Sequence, residues 1–291
     1  MGISTQDPGT PVATWFVTGV SRGLGRAIAE AVLGAGHQLL GTVRDLADAD
    51  DLASGFPGQA KIVTADVTDP EALRTAVKTA LNTFGQIDVL VNNAGYTLLA
   101  GIEEATDGQI RDQFETNTFG MFRVTREVLP GMRARRSGRI IMISSVAGVS
   151  AAPGLGYYAA SKHAVEGFSE SLAKEVAEHG ILVTLVEPGL FRTDTLGSSR
   201  ADARHSDAYA ATVGKTRSAL SSLSGHQPGD PARLAAAVLR LAAEPAPPLR
   251  LPLDPGATGA IRPSVEQRLR ELDEWGKAMA TTPIDDGDIS R

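Results

Sequence analysis

The chain has 291 residues, of which 42% are hydrophobic, and it carries a formal net charge of −6 at pH 7. This length and apolar content allow one large domain or two small ones with a sizeable core, and the negative charge argues against a general nucleic-acid binder. The absence of cysteine excludes disulfides and thiolate zinc sites, and the five histidines show no paired ligand spacing, so we expect no metal site and a cytoplasmic location.

The first eleven residues lack a basic segment followed by an apolar stretch, so they do not resemble a signal peptide. We expect residues 1–11 to form a flexible tail. No run in the sequence approaches the roughly 20 apolar residues that a membrane-spanning helix requires. The sequence therefore predicts that no segment spans a membrane.

From residue 12 onward, short apolar runs typical of β-strands alternate with longer amphipathic stretches typical of helices. The predicted strands are 14–18, 38–43, 61–64, 88–92, 139–144, 181–187 and 249–253. Seven strands separated by helices predict one doubly wound α/β domain over residues 12–256, with a parallel sheet covered on both faces.

Two helix starts carry recognisable capping signals. Thr68 and Glu71 have the spacing of a capping box, ahead of a helix that we expect to end near Phe84. Asp230 followed by Pro231 predicts an N-cap with proline at the first helical position.

A glycine turn directly follows the first predicted strand, with glycines at positions 19, 23 and 25. Between a strand and a helix, such glycines let the backbone come close to a pyrophosphate, and the helix N-terminus presents N–H groups to it. The pattern therefore predicts a dinucleotide site. Chance glycines in a tight turn are the alternative.

The end of the second predicted strand bears on the choice of nucleotide. Arg44 follows Val43 there, and Arg22 lies inside the glycine turn. Two guanidiniums suit a ribose 2′-phosphate, which favours NADP(H) over NAD(H). Asp45 keeps NAD(H) possible, because a shift of one residue would bring its carboxylate to the ribose hydroxyl instead.

Tyr158 and Lys162 are four residues apart, so a helix would place both side chains on one face. A cation beside a phenol favours the phenolate and can lower the phenol pKa from about 10 toward about 7. Ser145 precedes Tyr158 by thirteen residues. We therefore expect an acid/base pair, although a half-buried Tyr and a solvated Lys at this spacing occur in many ordinary helices.

Two segments depart from the alternation of strands and helices. Residues 193–228 are rich in Ser, Ala, Gly and Asp and follow a strand end, so we expect a substrate loop or lid, with a solvated insertion as the alternative. Residues 257–291 form a predicted C-terminal helical extension and tail. Its apolar residues at helical spacing predict core or subunit packing, and they are Val265, Leu269, Leu272, Trp275 and Met279.

Taken in chain order, the motifs resemble the short-chain dehydrogenase/reductase family over about residues 14–255. The motifs are the glycine turn, Asn92-Asn93-Ala94-Gly95, Ser145, Tyr158 with Lys162, and Pro188-Gly189. The resemblance implies a single Rossmann domain and an oxidoreductase that transfers hydride between a nicotinamide and a carbonyl or secondary alcohol. It also implies homodimers or homotetramers formed through residues 106–132 and 157–178.

The resemblance further assigns roles to individual residues. The implied catalytic residues are Asn117, Ser145, Tyr158 and Lys162. The implied cofactor-binding residues are Gly19, Ser21, Arg22, Gly23, Leu24, Gly25, Arg44, Asp66, Val67, Asn93, Ala94, Gly95, Tyr158, Lys162, Pro188, Gly189 and Thr193. In this family pattern Asp66 binds the adenine amino group, and Asn117 holds a proton-relay water near the lysine. Of the neighbouring pairs Ser144/Ser145 and Tyr157/Tyr158, only the second members keep the family spacing.

Two other functions remain open at this point. A nucleotide-bound regulatory or scaffold protein can share the same fold, since fold does not dictate function. An epimerase or dehydratase can use the same Tyr-Lys pair. The small and apolar residues around the predicted site indicate a small hydrophobic alcohol or ketone, and Tyr96 with Gly101-Ile-Glu-Glu resembles retinoid and steroid dehydrogenases.

Overall fold

The computed structural model describes residues 12–193 and 200–278. Its main sheet has seven parallel strands in the order β3-β2-β1-β4-β6-β7-β9, and a separate parallel pair joins β5 to β8. The strands are β1 Thr14–Thr18, β2 Gln38–Val43, β3 Ala60–Thr64, β4 Val89–Asn92, β5 Thr97–Leu99, β6 Gly138–Ile143, β7 Ile181–Pro188, β8 Arg200–Asp202 and β9 Arg250–Leu253. The predicted doubly wound α/β fold is therefore confirmed.

Helices cover both faces of the seven-stranded sheet. They are α1 Gly23–Gly34, α2 Asp50–Gly55, α3 Pro70–Phe84, α4 Asp107–Phe114, α5 Gly120–Arg135, α6 Gly156–Val176, α7 Lys215–Leu223, α8 Pro231–Ala243 and α9 Pro255–Ala278. One apolar core lies under α1 and α8, and the other lies under α3, α5 and α6. Burial on both faces explains why the strands read as continuous apolar runs rather than alternating ones.

The position of β1 decides where a ligand can bind. β1 pairs with β2 on one side and with β4 on the other. The chain therefore builds the sheet outward from β1 in one direction through β3, and then in the other direction from β4. A crevice forms where the strand order reverses, outside the carboxyl ends of the strands.

The two capping predictions had different outcomes. Asp230 accepts a hydrogen bond from Ala232 N at 2.9 Å ahead of α8, as predicted. The predicted Thr68 capping box is wrong, because Asp69 is the N-cap of α3 and accepts from Glu71 N at 2.8 Å. Thr68 instead donates its hydroxyl to Asp66.

The C-terminal helix α9 leaves its predicted apolar stripe uncovered. Val265, Leu269, Leu272 and Trp275 are 50%, 56%, 66% and 55% exposed. Core packing is therefore the wrong interpretation of this stripe, and subunit packing stays a prediction; Met279 lies outside the described residues. No helix in the part of the chain that the structure describes is long and apolar enough to cross a membrane.

Candidate active site

A cavity of about 520 Å³ opens at the carboxyl ends of β1, β2, β4, β6 and β7, where the strand order reverses. Most of the predicted site residues line it. These are Gly19, Ser21, Arg22, Gly23, Leu24, Arg44, Asn93, Ala94, Gly95, Ser145, Tyr158, Lys162, Pro188, Gly189 and Thr193. Gly25, Asp66, Val67 and Asn117 do not line the cavity.

The glycine turn has the backbone that its sequence predicts. Gly19 and Gly23 have φ angles of +72° and +62°, which side chains other than glycine rarely adopt. A Cβ at Gly25 would lie 2.1 Å from Gly19 O, so the first turn of α1 packs directly on the end of β1. The turn thus leaves the N-terminus of α1 open to the cavity, which fits a bound pyrophosphate.

Asn93 holds this turn against β4. Its Nδ2 donates to Thr18 O at 2.9 Å and to Gly19 O at 3.1 Å. The Thr18 hydroxyl in turn accepts from the backbone N of Asn93 and Ala94 at 2.9 and 3.0 Å. The end of β1 and the end of β4 therefore form one bonded unit under the cavity floor.

The two residues after β2, Arg44 and Asp45, are the candidates for contact with the ribose of the nucleotide. Arg44 is exposed and lines the cavity. Asp45 points its Oδ1 at Ala47 N, 3.0 Å away, and so caps the short 3₁₀ helix Leu46–Ala49. The guanidinium, rather than the carboxylate, thus belongs to the cavity wall.

Asp66 and Val67 follow β3 and do not line the cavity. Asp66 Oδ1 accepts from the backbone N and the hydroxyl of Thr68, both at 2.8 Å. Val67 is buried against Gly120 at the start of α5, where a Cβ would lie 2.8 Å from Val67 Cγ2. Their predicted contact with adenine stays a prediction, since Ala65 is the β3-end residue that lines the cavity.

Tyr158 stands on the first turn of α6 and faces the cavity together with two hydroxyl groups. Burial raises the pKa of the Tyr158 phenol, and hydrogen bonding with the Ser145 and Thr97 side chains lowers it in part. The neighbouring Tyr157 donates its hydroxyl to Ile102 O at 2.8 Å, in a nearby loop. Tyr158 is thus the phenol of the cavity, as its spacing to Lys162 predicts.

Lys162 lies one turn further along α6 and is only 3% exposed. Its Nζ donates to Ile143 O at 2.7 Å and lies 5.9 Å from the centroid of the Tyr158 ring. Burial lowers the pKa of Lys162 to about 8, and the charge of Glu166 offsets part of that effect. The expected lowering of the Tyr158 pKa is not found, because desolvation of the phenol outweighs it and the ammonium bonds a carbonyl oxygen instead.

Asn117 lies on the π-helical turn Glu115–Phe119 between α4 and α5, and it is fully buried. Its Oδ1 accepts from Tyr96 N at 3.0 Å, and its Nδ2 donates to Tyr96 O at 2.8 Å. The amide therefore fixes the backbone that follows Gly95. Its predicted role in holding a relay water stays a prediction.

The residues after β7 close one side of the cavity. A Cβ at Gly189 would lie 2.5 Å from Asp254 Oδ2, so only glycine fits at that close approach. Thr193 lies against the glycine turn, since a Cβ at Gly23 would be 3.5 Å from Thr193 Cβ. Gln227 donates to Thr193 O at 3.1 Å and ties this side to the segment before α8.

The β5–β8 pair supplies cavity residues beyond the predicted catalytic and cofactor-binding residues. Thr97 on β5 and Arg200 and Ala201 on β8 line the cavity. Within the predicted loop 193–228, residues 194–199 lie outside the described part, while β8 and α7 show that the remainder is partly ordered secondary structure. The role of this segment as a lid stays a prediction.

Glu187, at the end of β7, is a buried carboxyl group that the sequence does not single out. It is 1% exposed, and its Oε1 has no hydrogen-bond partner among the described residues. Burial and the charge of Glu166 raise the pKa of Glu187 to about 7, while Arg250, 4.0 Å away, opposes this. Glu187 therefore changes its charge near neutral pH.

We expect Glu187→Gln to raise the free energy of unfolding at pH 8 by up to about 3 kcal/mol, at 1.36 kcal/mol per pKa unit. The folded pKa lies above the usual carboxyl value, so the contribution of Glu187 to stability is complete at pH 4 and is lost as the pH rises through about 7. Urea unfolding at pH 5 and pH 8 measures the difference, with the exposed Glu178→Gln as control. Equal pH dependence in wild type and Glu187→Gln would contradict the assignment.

Together these features fit a dinucleotide. The glycine turn and the α1 N-terminus suit the pyrophosphate, Arg44 suits a phosphorylated ribose, and the buried Lys162 lies at the opposite end with Tyr158. No group of three or more His, Cys, Asp or Glu residues in the described ranges could hold a metal ion.

Comparison with known proteins adds independent findings. The short chain dehydrogenase family model matches residues 13–204. The chain is 41% identical over 263 residues to "Oxidoreductase BOA17" of Botryotinia fuckeliana (strain B05.10), covering 90% of this chain and 96% of that protein. A short-chain dehydrogenase from Streptomyces avermitilis superposes with a TM-score of 0.89 at 42% identity, covering 94% and 100% of the two chains. The structure "ElxO with NADP Bound" superposes with a TM-score of 0.67 at 27% identity, covering 80% and 92%.

Proposed function

The chain belongs to the short-chain dehydrogenase family, and from this premise we propose that it is an NADP(H)-dependent oxidoreductase acting on the carbonyl or secondary alcohol of a small hydrophobic substrate. The observation that carries the proposal is the placement of the Tyr158 phenol beside the Ser145 hydroxyl, with the buried Lys162 ammonium one helical turn away. When bound, the nicotinamide supplies hydride to the carbonyl carbon or accepts it from the alcohol carbon.

Tyr158 is the proton donor in the reducing direction. Burial raises the pKa of its phenol, so the proton is in place at neutral pH and can pass to the substrate oxygen. Alcohol oxidation needs the phenolate, so its rate should rise with pH. The Ser145 hydroxyl donates a hydrogen bond to the same oxygen as negative charge develops there.

Lys162 stabilises the negative charge that forms on Tyr158 during this proton transfer. Its ammonium is desolvated, so its positive charge acts on the forming phenolate with little screening. The bond from Nζ to Ile143 O keeps the charge at a fixed place, 5.9 Å from the Tyr158 ring centroid. We also propose that Lys162 binds the nicotinamide ribose, as the family resemblance implies.

The substrate end of the cavity supports a hydrophobic substrate. Leu190 lines the cavity and is 37% exposed, and Phe191 and Ala201 line it as well. Apolar surface of this kind favours an apolar ketone or alcohol over a phosphorylated sugar. The polar groups at this end are Thr97, Ser145, Tyr158 and Arg200, and the Arg200 guanidinium pairs with Asp202 at 3.0 Å.

The experiment that tests the function is a panel of carbonyl and alcohol substrates followed by NADPH absorbance, with Tyr158→Phe as the control. We expect NADPH consumption with hydrophobic ketones and none with the variant. Product formation without net NADPH consumption would instead indicate an epimerase or dehydratase. Cofactor binding without turnover on any substrate would favour the regulatory protein.

We expect Arg44→Ala to weaken NADPH binding by about 10- to 100-fold, the effect of losing a charged hydrogen bond. NADH binding should change by less than about threefold, because NADH lacks the 2′-phosphate that the guanidinium grips. Titration of each cofactor by calorimetry measures both values. The matched control is Arg26→Ala, whose guanidinium pairs with Glu30 and Asp51 rather than lining the cavity. Equal losses for both cofactors would overturn the preference for NADP(H).

Homo-oligomer formation and a cytoplasmic location complete the proposal. We propose a subunit contact through residues 106–132 and 157–178, and the exposed aromatic side chain of Phe119, just before α5, supports it: Phe119 is 45% exposed. Light scattering at micromolar concentration measures the mass, and a monomer would contradict this part of the proposal.

A further inference from the structure

A buried polar cluster lies directly behind Ser145 and Lys162. Ser144 donates its hydroxyl to Glu166 Oε1 at 2.5 Å, and Arg250 Nε donates to Glu166 Oε2 at 3.0 Å. Ser144 and Glu166 are 3% and 6% exposed, so the pair is shielded from solvent. Buried carboxylates are costly unless they are paired and hydrogen-bonded, and here both oxygens of Glu166 have partners.

The cluster continues the geometry of the site along one face of α6. Tyr158, Lys162 and Glu166 are spaced four residues apart, and each meets the end of β6. Tyr158 lies next to Ser145, Lys162 bonds Ile143 O, and Glu166 bonds the hydroxyl of Ser144, which lies between them in sequence. Three turns of one helix thus contact three consecutive residues of one strand end.

The charges around Glu166 come from three elements. Lys162 and Glu170 lie on α6, Glu187 on β7 and Arg250 on β9. The Glu166 carboxylate keeps the pKa of the buried Lys162 from falling further, and the Arg250 guanidinium pairs with Glu166 at 3.0 Å. The pKa of Glu187 is raised to about 7, so that group is largely neutral only below pH 7. Arg250 lies nearer to Glu166, at 3.0 Å, than to Glu187, at 4.0 Å.

From these contacts we infer that Glu166 is a positioning residue of the active site, which fixes the Ser144–Ser145 strand end and balances the charge of Lys162. It does not contact the cavity itself. Its effect on turnover rests on the proposed function, whereas its effect on Lys162 can be measured without substrate. The two parts of the role are separable, because one depends on charge and the other on a hydrogen bond.

Glu166→Gln tests the charge, since the amide oxygen can still accept from Ser144 while the negative charge is lost. In carbonyl reduction, kcat/KM should fall at high pH as the buried acid groups lose their protons. We expect the midpoint of this alkaline limb to move to lower pH by about one unit in Glu166→Gln. At a given pH above the midpoint, kcat/KM of the variant should then be about tenfold lower than that of wild type. The matched control is Glu170→Gln, one turn further on α6 and bonded to the same Arg250. Its profile should match wild type, and an unchanged limb in Glu166→Gln would overturn the inference.

A second readout requires neither substrate nor turnover. The chain has six lysines, so ¹³C-lysine NMR can follow the Lys162 signal, identified by its loss in Lys162→Ala. The Lys162 pKa should be lower in Glu166→Gln than in wild type and unchanged in Glu170→Gln. If no substrate turns over but this pKa shifts, the proposed function fails and the inference stands. If turnover is normal and the pKa does not shift, the inference alone fails.

Ser144→Ala tests the hydrogen bond and serves if Glu166→Gln does not fold. It removes the hydroxyl while the Glu166 charge remains. We expect about tenfold lower kcat with little change in KM and an unmoved alkaline limb, because only the placement of Ser145 is disturbed. A kcat equal to that of wild type would overturn the positioning role.

Discussion

Tyr158→Phe should lower the turnover of a carbonyl substrate by about 10²- to 10⁴-fold, the usual contribution of a positioned acid or base. The phenyl ring keeps the packing of the tyrosine at the start of α6 and loses only the hydroxyl that faces Ser145 and Thr97. Cofactor binding should change little, since the removed group is the proton donor. NADPH oxidation with a ketone gives kcat, and a fluorescence titration gives the cofactor Kd.

Tyr157→Phe is the matched control for this experiment. The Tyr157 hydroxyl bonds Ile102 O, outside the group of hydroxyls around Tyr158, so its loss should leave kcat within a few-fold of wild type. A near-normal kcat in Tyr158→Phe would show that another group donates the proton. Equal losses in the two variants would indicate a general disturbance of α6.

Lys162→Ala should reduce both turnover and cofactor affinity. The change removes a buried ammonium and leaves Ile143 O without the donor that lies 2.7 Å away, so turnover should fall by at least about 10²-fold. We expect cofactor binding to weaken by about tenfold through loss of the ribose contact. Steady-state rates and a calorimetric titration separate the two effects.

Lys174→Ala provides the comparison within the same helix. Lys174 is exposed and pairs with Glu170, so its removal should affect neither quantity. An unchanged cofactor Kd in Lys162→Ala would contradict the proposed contact of Lys162 with the ribose. An unchanged kcat would contradict its proposed electrostatic effect on Tyr158.

The strands of the main sheet could be predicted because each is a continuous apolar run. Trp15, Phe16 and Val17 are all at most 1% exposed, so β1 needs no alternation to be recognised. The β5–β8 pair could not be predicted, because three-residue strands carry no periodicity and Thr97 pairs with Arg200 across about a hundred residues. The sequence placed Arg200 and Ala201 in a substrate loop, but for the same reason it could not show that they form a strand.

The sequence predicted which side chains lie on the same face of a helix better than it predicted how deeply they are buried. The spacing of Tyr158 and Lys162 placed both on one face of α6, and the structure has them there. Spacing contains no information on burial, so the direction of the Tyr158 pKa was predicted wrongly. Glu166 continues the four-residue spacing of Tyr158 and Lys162, but its role was overlooked because its partners Ser144 and Arg250 are distant in sequence. Glu187 was overlooked because a single acidic residue in an apolar strand shows no pattern.

The reacting groups and part of the substrate end of the cavity lie on different parts of the fold, which bears on how this protein can be redesigned. The reacting groups stand on α6 and the end of β6, whereas Arg200 and Ala201 stand on β8, which pairs with β5 outside the main sheet. Because α6 is a single rigid helix, its three inward side chains cannot be adjusted independently of one another. Residues on β8 can be exchanged without touching them, whereas Thr97 on β5 must be kept because its side chain hydrogen-bonds Tyr158. Selectivity and rate are thus partly separate design variables in this fold, and libraries aimed at new substrates belong on β8.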